Sequence, residues 1–164
     1  MMTTLMRSRR KNSIRTNAHG NMCVDLTLTT MLVSALGAIG ANATVIILAC
    51  NVNDAACRDA ARAAAQTTSA TQALMAAQTQ LNIHSHGAFF VTQPALSSTS
   101  APDFVYNDFG GSPPPDTSSF VAVTTIVNIN IPAPIIFFGT KFGSGPIVYR
   151  KRYVFPIVKE KFYG

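Results

Sequence analysis

Residues 26–49 form an unbroken run of twenty-four residues without a charged side chain. At about 1.5 Å per helical residue this run reaches roughly 36 Å, enough for the hydrocarbon core of a bilayer with some tilt. A membrane-spanning helix is expected there. The run is not uniformly apolar, because Thr27, Thr29, Thr30, Ser34, Asn42 and Thr44 interrupt it. Ser34, Gly37, Ala38, Gly40 and Ala41 fall at three- and four-residue spacing, and small residues so spaced let helix backbones approach closely. These five are the expected helix-packing positions, although small residues are also frequent in membrane helices generally.

Charge is distributed around this run in a telling way. Arg7, Arg9, Arg10, Lys11 and Arg15 give the first twenty residues five positive charges and no acid, while the rest of the chain holds eight basic against seven acidic residues. The net charge of +6 is therefore mostly a property of the N-terminal segment. A nucleic-acid binder needs basic groups spread over a folded face that tracks phosphates, and none is expected here. Basic residues ahead of an apolar run hold the cytoplasmic end of a membrane helix, which places the C-terminus outside.

Beyond the run, Ala-rich sequence with Asp54, Arg58, Asp59 and Arg62 favours continued helix. Asp54 and Arg58 form an i,i+4 pair with the acid first, the better orientation. The helix is expected to continue to Leu81, weakened at Thr67, Thr68 and Ser69. Residues 120–131 alternate, with Val121, Val123, Val127, Ile129 and Ile131 on one side and Thr124, Asn128 and Asn130 on the other, as in a half-buried strand. Pro132 and Pro134 redirect the chain. Further strands are expected at 87–92, 135–138 and 146–158, with a glycine-bearing turn at 139–145 and with Arg150 and Arg152 sharing a face. Residues 97–119, rich in Ser, Pro, Gly and Asp, read as a long surface loop or a partly ordered excursion. The expected fold is α+β: a long N-terminal helix packed on a small antiparallel sheet. Its parts are a basic leader (1–20), a stem helix (21–81) and a sheet domain (82–164).

Chemistry-bearing residues are sparse. Cys50 and Cys57 lie about 10 Å apart along a helix, beyond disulfide reach, so a bond between them requires a broken helix. Cys50, preceded by Ile47, Leu48 and Ala49, also loosely matches a lipid-attachment site. His84 and His86 are two ligands without a third, so no metal site is expected. Asp103, Asp108 and Asp116 lack the spacing of a calcium loop. With no nucleophile–base or glycine-loop signature, no catalytic residues, enzyme activity or cofactor are expected.

Three blocks carry a resemblance to a known family. Gly20-Asn-Met-Cys-Val-Asp25 is the layout a type IV prepilin peptidase reads, with cleavage between Gly20 and Asn21 leaving an acid at the fifth mature position. The Ala/Arg-rich block from Asn53 to Ala65 and the C-terminal strands that follow Val121 carry the rest. The chain resembles the TadE/TadF-type minor pseudopilins of tight-adherence (type IVc) pilus systems, although many members have Glu where this chain has Asp25. That resemblance implies a pilin-like fold and a role in pilus assembly and surface adhesion. Its implied partners are a prepilin peptidase, other pilin or pseudopilin subunits and an inner-membrane assembly platform. The implied location is the inner membrane, single-pass, or a surface pilus.

Asp25 fits that implication physically. A carboxylate costs about 2.5–3.5 kcal/mol at the centre of a membrane helix and less near its end, and it is usually kept for a partner. An α-amino group freed at Asn21, on this or a neighbouring subunit, answers it. At about 4 Å and an effective dielectric near 20 the attraction is of order 4 kcal/mol. The competing account is a helix-end acid in the headgroup layer, favoured by the macrodipole. That account suits a structural envelope protein held by an uncleaved signal anchor or by a lipid. A secreted binding module using the 97–119 loop is a third reading.

Overall fold

The computed structural model describes residues 5–84, 89–133, 135–137, 140–142 and 145–157. The architecture is α+β, as expected from the sequence. Helix α1 (Leu5–Ala65) is followed by α2 (Ala70–Ile83) and six strands: β1 (Ala95–Leu96), β2 (Phe104–Asn107), β3 (Phe120–Ile129), β4 (Ile135–Phe137), β5 (Thr140–Phe142) and β6 (Ile147–Pro156). The chain divides into two units, residues 1–40 and 41–164. The first, where described, is helix throughout. The second holds the rest of α1, α2 and the sheet.

In the second unit β3 is the organising strand. All ten of its residues pair antiparallel with β6 along one edge, from Phe120 opposite Pro156 to Ile129 opposite Ile147. Its other edge takes β2 opposite residues 120–123 and β1 opposite residues 125–126. An isolated bridge from Val91 to Ile129 extends that edge. The alternation read from the sequence sets the faces. Val121, Val123, Val127 and Ile129 are buried against α1, which meets them with Ala49, Ala56, Ala60 and Ala64. Alanine at i, i+4 and i+8 leaves a flat helix face, so the backbone lies close to the sheet. α2 completes this core with Ala73, Ala77 and Leu81 beside Phe104.

Four expectations are corrected. The stem is not continuous to Leu81: α1 stops at Ala65, and α2 starts at the N-cap Ser69, whose side chain accepts from the Gln72 amide. The Thr67 hydroxyl donates to the Ala64 carbonyl at 2.8 Å, competing with the helical ladder, and the Tyr106 hydroxyl donates to the Thr67 carbonyl at 3.0 Å. These side chains hold the break open. Residues 97–119 are a partly ordered excursion and not one loop, because they contain β2 and a 3₁₀ turn at Phe109–Gly111. The expected turn at 139–145 contains β5, which pairs with β4; Gly139, Gly143 and Ser144 lie outside the described residues. Of the expected strand at 87–92, Gly87 and Ala88 also lie outside them, and Val91 contributes only its bridge.

Candidate functional site

The surface of α1 between Met22 and Ile39 is apolar and open. Met22 and Met31 are 72% exposed and Ile39 still 52%. Among the described residues one helix, near the N-terminus, is long and apolar enough to cross a membrane. Four of the polar residues that interrupt the run, Thr27, Thr30, Ser34 and Asn42, bond back to the chain. The Thr27, Thr30 and Ser34 hydroxyls donate to the carbonyls of Cys23, Leu26 and Thr30, each at 2.8 Å. Asn42 donates through Nδ2 to the Ala133 carbonyl at 2.8 Å and accepts the Ala133 amide through Oδ1 at 3.1 Å. A helix whose polar groups bond back to the chain tolerates surroundings that offer no hydrogen bonds. The sequence showed these residues as interruptions, and only the coordinates show their partners.

The expected site residues are placed as follows. Gly20 and Asn21 lie within α1, and Asp25 is exposed on it. Among the described residues no side chain pairs with Asp25. Ser34, Gly37, Gly40 and Ala41 are exposed and Ala38 is half-buried. A Cβ added at Gly37 or Gly40 would meet nothing within 4 Å, so this chain's own packing does not require glycine at either position.

A second cluster, on the 41–164 unit, ties α1 to β6. Asp54 takes Arg58 Nη2 at 2.7 Å and Lys151 Nζ at 2.9 Å. The Tyr153 hydroxyl donates to both carboxylate oxygens, at 3.1 and 3.2 Å. Hydrogen bonding to the Lys151 ammonium, with help from Arg58 and Tyr153, holds the Asp54 carboxyl below the usual carboxylate range. The same pairing raises Lys151. The Arg58 guanidinium also lies 5.7 Å from the Tyr153 ring centroid. The sequence indicated the Asp54–Arg58 pair but not the two β6 partners.

Cys23, Cys50 and Cys57 are free thiols. Helix α1 runs unbroken through Cys50 and Cys57, the condition under which they cannot bond. Cys57 is buried, its Sγ donating to the carbonyls of Val123 and Lys151 at 3.4 and 3.3 Å, and burial pushes its thiol pKa up. His84 caps the C-terminal end of α2, with Nε2 3.1 Å from Asp59 Oδ2. His86 lies outside the described residues. Among the described residues there is no group of three or more metal-ligating side chains. No family model, curated protein or solved structure matches the chain in comparisons with known proteins.

Proposed function

We propose that this chain is a minor pilin-like subunit of a tight-adherence type IV pilus system, cut between Gly20 and Asn21 and assembled through its apolar helix. The observation that carries the reading is one helix with two kinds of surface. Its N-terminal part is openly apolar with a lone exposed acid, Asp25, near the start; from Ala49 onward an alanine face is buried on an antiparallel sheet. A helix needed only for its own domain would not expose Leu28, Leu32 and Leu36 at about 60% each. Glycines at positions 37 and 40 that the chain's own packing does not require suit close approach by a neighbouring helix. The basic leader supports insertion with the C-terminus outside. Other pilus subunits and an assembly platform in the inner membrane are the corresponding partners, and adhesion the cellular role.

Two experiments test this. Intact mass and N-terminal sequencing of the protein from a strain with a prepilin peptidase should give a start at Asn21, and Gly20→Val should accumulate the longer precursor. A mature start at Cys50 with added lipid mass would establish the lipid-anchored alternative, and an unprocessed chain the signal-anchored one. The second experiment isolates Asp25. Asp25→Asn keeps size and hydrogen bonding but removes the charge that would answer a freed amine. Cleavage and insertion should be normal, co-purification with other pilus subunits impaired, and Asp25→Glu partly restoring. Assembly at the wild-type level by the Asn variant would defeat the role given to this carboxylate.

A further inference from the structure

The sheet ends on one side in a long strand whose outer edge has no ladder partner among the described residues. β6 spans Ile147–Pro156, and among the described residues β3 is its one ladder partner. Its inward face is occupied: Lys151 and Tyr153 reach Asp54, and Arg62 lies 6.0 Å from the Phe155 ring. Its outward face is not. Val148 and Val154 are 53% and 55% exposed, and Arg150 and Arg152 between them are exposed without an acidic partner among the described residues. An unpaired edge of this length is a template for another strand.

Charge selects the occupant. Two β6 edges paired with each other antiparallel would bring Arg150, Lys151 and Arg152 of one copy against the same three of the other, and like charges directly opposed are destabilising. An edge with acids beside it is required, and the chain carries one: β2 (Phe104–Asn107) has no acid of its own, but Asp103 immediately precedes it and Asp108 follows it. Between Arg62 and Lys141 there is no Lys or Arg, and the stretch containing β2 holds Asp103, Asp108 and Asp116. β2 lies on the edge of the sheet opposite β6, with β3 its one ladder partner among the described residues. Because β2 and β6 are both antiparallel to β3, they run parallel to each other. A second copy shifted sideways in the sheet plane therefore offers β2 to β6 as a parallel neighbour.

We infer that the β6 edge, through Arg150 and Arg152, takes the β2 edge, flanked by Asp103 and Asp108, of a second copy of this chain, continuing the sheet head to tail from copy to copy. Such a contact joins two different surfaces, so it leaves one of each free at the ends and grows without closing. It lies entirely within residues 41–164 and does not depend on processing at Gly20.

Head-to-tail pairing is tested with the full chain in detergent micelles by sedimentation velocity. Wild type should give a series of sizes that rises with concentration and collapses in about 1 M salt, where the Debye length falls to about 3 Å. Arg150→Glu with Arg152→Glu removes one edge, and Asp103→Asn with Asp108→Asn removes the other while keeping acceptors for Ser97 and the Gly110 amide. Each variant alone should associate at least about tenfold more weakly than wild type. Mixed in equal amounts they should form a one-to-one pair and nothing larger, since each supplies the edge the other lacks. A wild-type monomer or closed dimer, either variant assembling like wild type, or a mixture that stays monomeric would overturn the inference. Should the Asp variant not fold, Asp116→Asn with the salt series replaces it, and salt-insensitive growth of the wild type is then the overturning result. Association driven by the apolar helix would ignore these charges, and cleavage at Gly20 assayed on the same variants reports separately on the proposed function.

Discussion

At the scale of single residues, Asp54 carries the most consequence, because three donors from two elements converge on it. Its carboxyl sits below the ordinary value of 3.8, so the unfolded chain binds the proton more readily than the native one. The contact's contribution to stability is present above that value and is lost as pH falls through the lowered native one. Lys151 has the opposite sign: raised above 10.5, it contributes below that pH and loses its contribution as pH rises through the raised value. Thermal unfolding followed against pH should show both flanks in the wild type, and Asp54→Asn should flatten them together. Cys57 gives a second prediction. Buried and with its thiol pKa raised, it should resist maleimide in the native protein and react only on denaturation, as peptide mapping would show. Of the Asp54 cluster, the sequence shows only Arg58, because helical spacing puts it within reach. Lys151 and Tyr153 lie roughly a hundred residues away, and the β6 register that delivers them is set by pairing with β3.

Among the elements, the junction between α1 and α2 shows how side chains overrule propensity. The Ala-rich composition on both sides favours one helix, yet Thr67 and Ser69 offer the backbone other partners, and Tyr106 fixes the result from the sheet. Ser69→Ala should cost about 1 kcal/mol of stability by leaving first-turn amides uncapped; denaturant titration measures it. The alanine face is tested in the opposite direction. Ala60→Leu inserts bulk between α1 and the β3–β6 sheet and should destabilise by about 1–3 kcal/mol, whereas the same change at exposed Ala55 should be nearly neutral. The long strands β3 and β6 were legible from their length and β-branched and aromatic content; β6 alternates in exposure along most of its length, whereas residues 121–125 of β3 are all buried. β2 was not, since Phe104, Val105 and Tyr106 give too short a signal inside a Ser/Pro-rich stretch, and its strand state comes from pairing with residues 120–123.

For the whole molecule, the division at Gly40 separates the unit that holds the exposed apolar stretch from Met22 to Ile39 from one that folds around its own core. Leu36→Arg, near the middle of the uncharged run, should lower membrane insertion at a cost of about 2.5–3.5 kcal/mol, read as the glycosylated fraction in a microsomal insertion assay. The same change should leave the 41–164 core intact. β3, which pairs with β1, β2 and β6 alike, has a consequence for biogenesis. It begins 55 residues after α1 ends, so during synthesis at about 5–20 residues per second the inner face of the stem waits on the order of several seconds for its cover. A waiting face of leucine or isoleucine would invite aggregation or capture by the lipid. Alanine at positions 56, 60 and 64 presents little grease during that interval, and thus lets the helix stand uncovered until the sheet closes on it.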